Sequence, residues 1–176
     1  MRLLTLYISV SADGMLARSD GTTDWQIQDP ESGFEAFYKE IDTIFMGRGC
    51  FENILNQGPW PYEDKMTYVF SKTLRNEFGK RVSIISRDPG VFVDEYKESE
   101  GSKIWLMGGP TLIRALMQQN LVDIVTLNIH PTILGQGLSL FPLPLHSMFW
   151  KLVSSQEFSS GLVQTKYALR THEISG

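Results

Sequence analysis

The chain has 176 residues, 42% hydrophobic and 20% charged, which fits one domain with a sizeable core. A net charge of −4 gives no electrostatic grip on nucleic acid, and no apolar run reaches the roughly 18 residues a membrane span needs. The single cysteine, Cys50, excludes an internal disulfide framework; His130, His146 and His172 lack metal-ligand spacing, so no metal site is expected. The opening segment, Met1 to Tyr7, lacks the cleavage site of a signal peptide, and a cytoplasmic protein is expected.

Leu3 to Val10 reads as a buried strand, ended by Ser11-Ala12-Asp13-Gly14. A polar loop follows through Asp20 to Asp24. Asp29-Pro30 has the form of an N-cap with proline at the first helical position. Phe34, Phe37, Tyr38 and Ile41 then carry the spacing of a helix packed by one face. Thr43 to Met46 is a short apolar strand entering Gly47-Arg48-Gly49, with a short helix over Cys50 to Leu55. Thr67 to Phe70 and Val82 to Ser86 are further strands. Val91 to Ser102 is polar, a surface helix or loop. Ile104 to Met107 is a strand running into Gly108-Gly109-Pro110, and Leu112, Ile113, Leu116 and Met117 form the inner stripe of the next helix. Val122 to His130 is a strand. Phe149 to Phe158 and Leu162 to Leu169 flank the turn residues Ser159-Ser160-Gly161 as a hairpin. The sum predicts an α/β sandwich with a mostly parallel sheet and an antiparallel edge.

Strand ends carry the chemistry. Met46 meets Gly47-Arg48-Gly49, Phe70 meets Ser71-Lys72-Thr73, and Met107 meets Gly108-Gly109. In a parallel sheet these ends share one edge, where ligands bind. Glycine lets backbone approach a ligand, helix N-termini beyond the bends favour phosphate, and Arg48 and Lys72 add positive charge. A pyrophosphate-containing cofactor needs this set. Each bend alone is equally a plain turn or strand cap, and no GxGxxG fingerprint is present.

The segments Ser9–Gly14, Ile44–Arg48, Val69–Lys72, Ile104–Leu112 and Ile129–Gly137, followed by Leu140-Phe141, resemble the dihydrofolate reductase-like superfamily in order and spacing. The resemblance is nearest to the C-terminal reductase domain of riboflavin-biosynthesis proteins. It implies a three-layer sandwich built on a mainly parallel eight-stranded sheet, with NADPH as hydride donor. Carried over, Gly47, Arg48 and Gly49 meet the cofactor phosphates, and Ser71 and Lys72 lie near the adenosine 2′-phosphate. Gly108, Gly109 and Thr111 approach the nicotinamide-side phosphate, Leu16 and Ala17 border the nicotinamide, and Trp25 lies beside the substrate pocket. Relatives of this branch often form homodimers.

Two departures bear on the substrate. Folate reductases place a carboxylate in the helix after the tryptophan; here the matching positions are Ser32 and Gly33, with Glu31 and Glu35 out of register. The riboflavin-pathway reductases hold a ribose phosphate with serine and arginine groups, and Thr23-Asp24-Trp25-Gln26-Ile27-Gln28 offers no arginine. No deaminase segment precedes the domain, so a stand-alone relative is expected. Asp24 is the nearest carboxylate to Trp25, a candidate for proton delivery or a turn residue. Phe34 and Phe37 are candidates for a flat-ring pocket or for core. Cys50 and His130 read as structural residues. The expected activity is NADPH-dependent reduction of a small pyrimidine- or pterin-like substrate. The alternatives are a non-catalytic NADP-binding protein and a dimeric scaffold, which NADPH and NADH titration separates.

Overall fold

The computed structural model describes residues 1–75 and 78–169. Its main sheet has eight strands in the order β5-β4-β3-β6-β1-β7-β10-β9. These are β1 (Leu4–Ser11), β3 (Ile41–Gly47), β4 (Met66–Phe70), β5 (Val82–Ile85), β6 (Lys103–Gly108), β7 (Ile124–His130), β9 (Trp150–Glu157) and β10 (Val163–Leu169). From β5 to β7 every pairing is parallel; β10 and β9 add two antiparallel ladders at the edge. A separate two-stranded ribbon pairs β2 (Met15–Ala17) with β8 (Leu138–Ser139).

Alternation along the central strands builds two cores. Leu4, Leu6 and Val10 of β1, Phe45 of β3 and Leu106 of β6 pack on one face with α3 (Pro89–Lys97) and α4 (Pro110–Gln118). Tyr7, Ile44, Met46, Trp105 and Met107 point to the other face, against α1 (Phe34–Lys39) and α2 (Arg48–Gln57). The result is the expected three-layer sandwich. The inner stripe of α4 is Leu112, Ile113, Leu116 and Met117, all buried. The polar stretch after Val91 is helical as far as Lys97, because Asp88 caps Val91 N–H and Phe92 and Val93 face inward.

One expected helix is shorter than its spacing suggested. Asp29 does act as a cap, accepting from Glu31 N–H, but the turn it opens is a 3-10 turn, Pro30–Ser32. Gly33 then adopts φ +75°, and α1 begins only at Phe34. Ile41 is therefore not on the helix: it is buried as the first residue of β3. Arg2 packs its buried guanidinium on Asp42 and Thr43, and Lys97 is buried on Asp123 at 2.7 Å, fixing the far ends of β1, β3 and β7. Among the described residues, no helix is long and apolar enough to cross a membrane.

Candidate active site

The C-terminal ends of β5, β4, β3, β6, β1 and β7 open on one cavity of about 1450 Å³. That exceeds the roughly 300–1,000 Å³ of an ordinary single-ligand pocket. All the residues assigned to cofactor binding by sequence lie on its wall: Leu16, Ala17, Gly47, Arg48, Gly49, Ser71, Lys72, Gly108, Gly109 and Thr111.

The backbone dictates the cradle. At Gly109, φ is +97°, and an added Cβ would stand 3.0 Å from Gly47 Cα. At Gly108 an added Cβ would stand 3.3 Å from Cys50 Sγ. The first and third bends therefore converge, leaving no room for side chains between them. Helices α2 and α4 start here and present their unpaired N–H groups. Arg48 is held ready, with Nε on Glu52 (2.7 Å) and Nη1 donating to Thr73 Oγ1 (2.6 Å). Ser71 Oγ accepts from Leu74 N–H, closing the turn that carries Lys72. Burial pushes the Cys50 thiol up to about 12, so it stays a neutral wall residue.

Arg87, after β5, also lines the cavity and lies over the Phe92 ring at 4.9 Å. Sequence reasoning missed it because Ser86-Arg87-Asp88 contains no glycine; the shared strand-end rule was the available signal.

At the other end, Phe34 lines the cavity with Tyr7, Tyr62 and Trp105, its ring 5.4 Å from Trp105. Three residues expected nearby are not on the wall. Phe37 stacks behind Tyr7 at 4.4 Å. Trp25 is buried edge-on to His130, at 5.3 Å. Asp24 is exposed and paired with Arg18 at 2.7 Å, which lowers its pKa; the carboxylate is directed to that partner and not to the cavity. Glu35, by contrast, does line the cavity.

His130 is buried, and its Nδ1 accepts from Ile27 N–H at 3.0 Å, so Nε2 carries the proton of the neutral ring. Tyr7, Gln164, Asn128 and Ser32 form one network: Gln164 Nε2 donates to Asn128 Oδ1 (2.8 Å) and to Ser32 O (2.8 Å), and the Tyr7 hydroxyl, 3.2 Å from that nitrogen, donates to Ser32 O (3.2 Å).

The β2–β8 ribbon contributes Leu16, Ala17 and Leu138 to the cavity wall. A Cβ on Gly137 would collide with the carbonyl oxygen of Ala17, so only glycine lets the two strands approach this closely.

The sheet order and the cradle define a dihydrofolate reductase-like fold. Residues 2–164 match the family model of the RibD C-terminal domain, and the chain belongs to that family. Protein YyaP of Bacillus subtilis (strain 168), which is uncharacterized, is 36% identical over 178 aligned positions, covering 94% of each chain. A Shewanella sp. PV-4 structure, provisionally described as a riboflavin biosynthesis protein, superposes with a TM-score of 0.82 at 24% identity, covering 96% of this chain and 99% of that one. The dihydrofolate reductase of Enterococcus faecalis, solved with NADP(H), has a TM-score of 0.69 at 18% identity, with 96% of each chain covered.

Proposed function

We propose that this chain is a single-domain, cytoplasmic, NADPH-dependent reductase acting on a small pyrimidine- or pterin-like substrate. The observation that carries the reading is the meeting of Gly47 and Gly109 on the wall of a cavity that Arg48, Ser71 and Lys72 also line. The backbone cradle and the α2 and α4 N-termini hold the pyrophosphate; Arg48 adds a guanidinium to it. Ser71, Lys72 and Arg87, which line the same cavity, would hold the adenosine 2′-phosphate. Leu16 and Ala17, on the ribbon strand β2, would border the nicotinamide. When bound, the cofactor supplies the hydride. Phe34, Tyr7 and Trp105 set the plane of the acceptor ring and exclude water from that face. Asp24 stays paired with Arg18, and solvent water supplies the proton of the reduction.

The test is a titration with NADPH and NADH, followed by nicotinamide fluorescence. A screen of NADPH oxidation against pterins, folates and riboflavin intermediates follows. Binding without turnover by any of them leaves the non-catalytic NADP-binding reading, and absence of binding leaves the scaffold.

The edge strand β9 supports a homodimer. Among the described residues its outer ladder edge is unpaired, and it exposes Leu152 and Val153, with Phe149 just before it. Light scattering on the purified protein and on Leu152→Lys checks this: a dimer that the variant dissociates is expected.

A further inference from the structure

The cavity carries its charge unevenly. Its cations, Arg48, Lys72 and Arg87, all follow β3, β4 and β5, at the end assigned to the cofactor phosphates. Among the described lining residues from β6, β1, β7, α1 and the 16–30 loop, there is no lysine or arginine. The charged groups there are the carboxylates Asp20, Asp29 and Glu35. Arg18, the one cation of that loop, is paired with Asp24. The other polar side chains of the far end include the Tyr7 hydroxyl, the amides of Gln26, Gln28 and Asn128, and the buried His130, whose pKa burial lowers.

Resting on the reductase reading, we infer that the substrate end takes a phosphate-free, uncharged or cationic flat heterocycle. A phosphate monoester carries a charge of about −1.5 to −2 at neutral pH. Seated here it would lose water without gaining a counter-cation, beside carboxylates of like sign. Neither does a helix N-terminus replace the missing cation, since α1 has only six residues and Glu35 sits in its first turn. The groups that are present suit the opposite chemistry. Aromatic walls from Tyr7, Phe34, Tyr62 and Trp105 take a ring face. Hydroxyl and amide groups offer both donors and acceptors to carbonyl, ring N–H and amino substituents. Gln164 and the Tyr7 hydroxyl both hold the Asn128 amide, which fixes it in place at the wall.

Calorimetric titration of the NADP⁺-saturated protein tests this with two matched pairs. One is 5-amino-6-(5-phosphoribosylamino)uracil against its dephosphorylated form; the other is pterin-6-carboxylate against pterin. The neutral member of a pair is expected to bind at least about tenfold more tightly. Equal affinity, preference for an anionic member, or failure of both neutral probes to bind at about 1 mM overturns the inference. The reductase reading fails separately, in the preceding NADPH titration; the same affinity ratio is then read on the protein without cofactor.

Discussion

Gly109 and Gly47 meet backbone to backbone: a Cβ on Gly109 would lie 3.0 Å from Gly47 Cα and 3.1 Å from Gly47 N. The reverse approach is looser, since a Cβ on Gly47 would find Gly109 Cα at 3.4 Å. The two positions therefore differ in tolerance. Gly109 also has φ +97°, which an L side chain adopts only under strain of about 1–3 kcal/mol. Gly109→Ala is expected to lower unfolding free energy by about that amount and to weaken NADPH at least about tenfold. Gly47→Ala, with φ −80°, is expected to cost under about 1 kcal/mol of stability. Urea unfolding and fluorescence titration read both; equal effects at the two sites would remove the asymmetry claimed for the cradle.

On the proposed reading, Lys72 and Arg87 would separate the two nicotinamide cofactors. Both line the cavity at the ends of β4 and β5, and Arg87 is steadied by Glu95 at 2.7 Å. Each alanine substitution is expected to weaken NADPH by about 1–2 kcal/mol and to leave NADH unchanged, because only NADPH carries the 2′-phosphate. Arg48→Ala is expected to weaken both cofactors by about 1–3 kcal/mol. Parallel titrations decide it. An equal loss of NADH in the Lys72 or Arg87 variants would move those residues off the 2′-phosphate.

What was legible in the sequence follows physical lines. Strand ends marked by glycine could be read because an apolar run meeting Gly47 or Gly108 changes period and flexibility at once. Arg87 escaped because no glycine flags the end of β5. The ribbon strands β2 and β8 have three and two residues, too few to show any period. Ile41 kept helical spacing from Phe34 by coincidence, and the strand claimed it because parallel pairing with β6 buries it completely. The outward direction of Asp24 depends on Arg18, six residues earlier, and no local pattern encodes a loop ion pair of that kind.

Asp13 ties the ribbon side of the cavity wall to the sheet. Its carboxylate accepts from Gly135 N–H (2.7 Å), Leu134 N–H (3.1 Å) and Ser11 Oγ (2.6 Å), and Ser11 Oγ in turn accepts from Met15 N–H (2.8 Å). The segment before β2 is thus latched to the segment after β7, which sets Leu16 and Ala17 at the cavity wall. These donors hold the Asp13 carboxyl down to about 2. A lowered carboxyl contributes stability that is present in full above its unfolded value, near 3.9, and is lost as pH falls through about 2. Asp13→Ala is expected to weaken NADPH binding at neutral pH with only a small drop in Tm. The stability difference between Asp13→Ala and the parent should shrink progressively as pH falls from about 4 through about 2. A difference that stays constant across that range would show that the latch is not ionic.

His130 sets a second window, with its own sign. Its Nδ1 accepts from Ile27 N–H at 3.0 Å, and its ring packs edge-on to Trp25 at 5.3 Å. Burial lowers its pKa below the ordinary 6.5, so the fold favours the neutral ring. That contribution is complete above the unfolded value and fades as pH falls below about 6.5 toward the folded pKa. Protonation places a hydrogen on Nδ1 and opposes the Ile27 N–H donor, so the loop carrying Gln26, Ile27 and Gln28 loosens from the cavity wall. As pH falls below about 6.5 the unfolding free energy of the parent is expected to fall by up to about 1.4 kcal/mol per pH unit, the most one proton can supply. His130→Asn keeps an acceptor for Ile27 N–H but does not titrate there, and its stability should decline less steeply over the same range. Trp25 emission should change over that window in the parent alone. Identical slopes in both proteins would assign the acid sensitivity to groups other than His130.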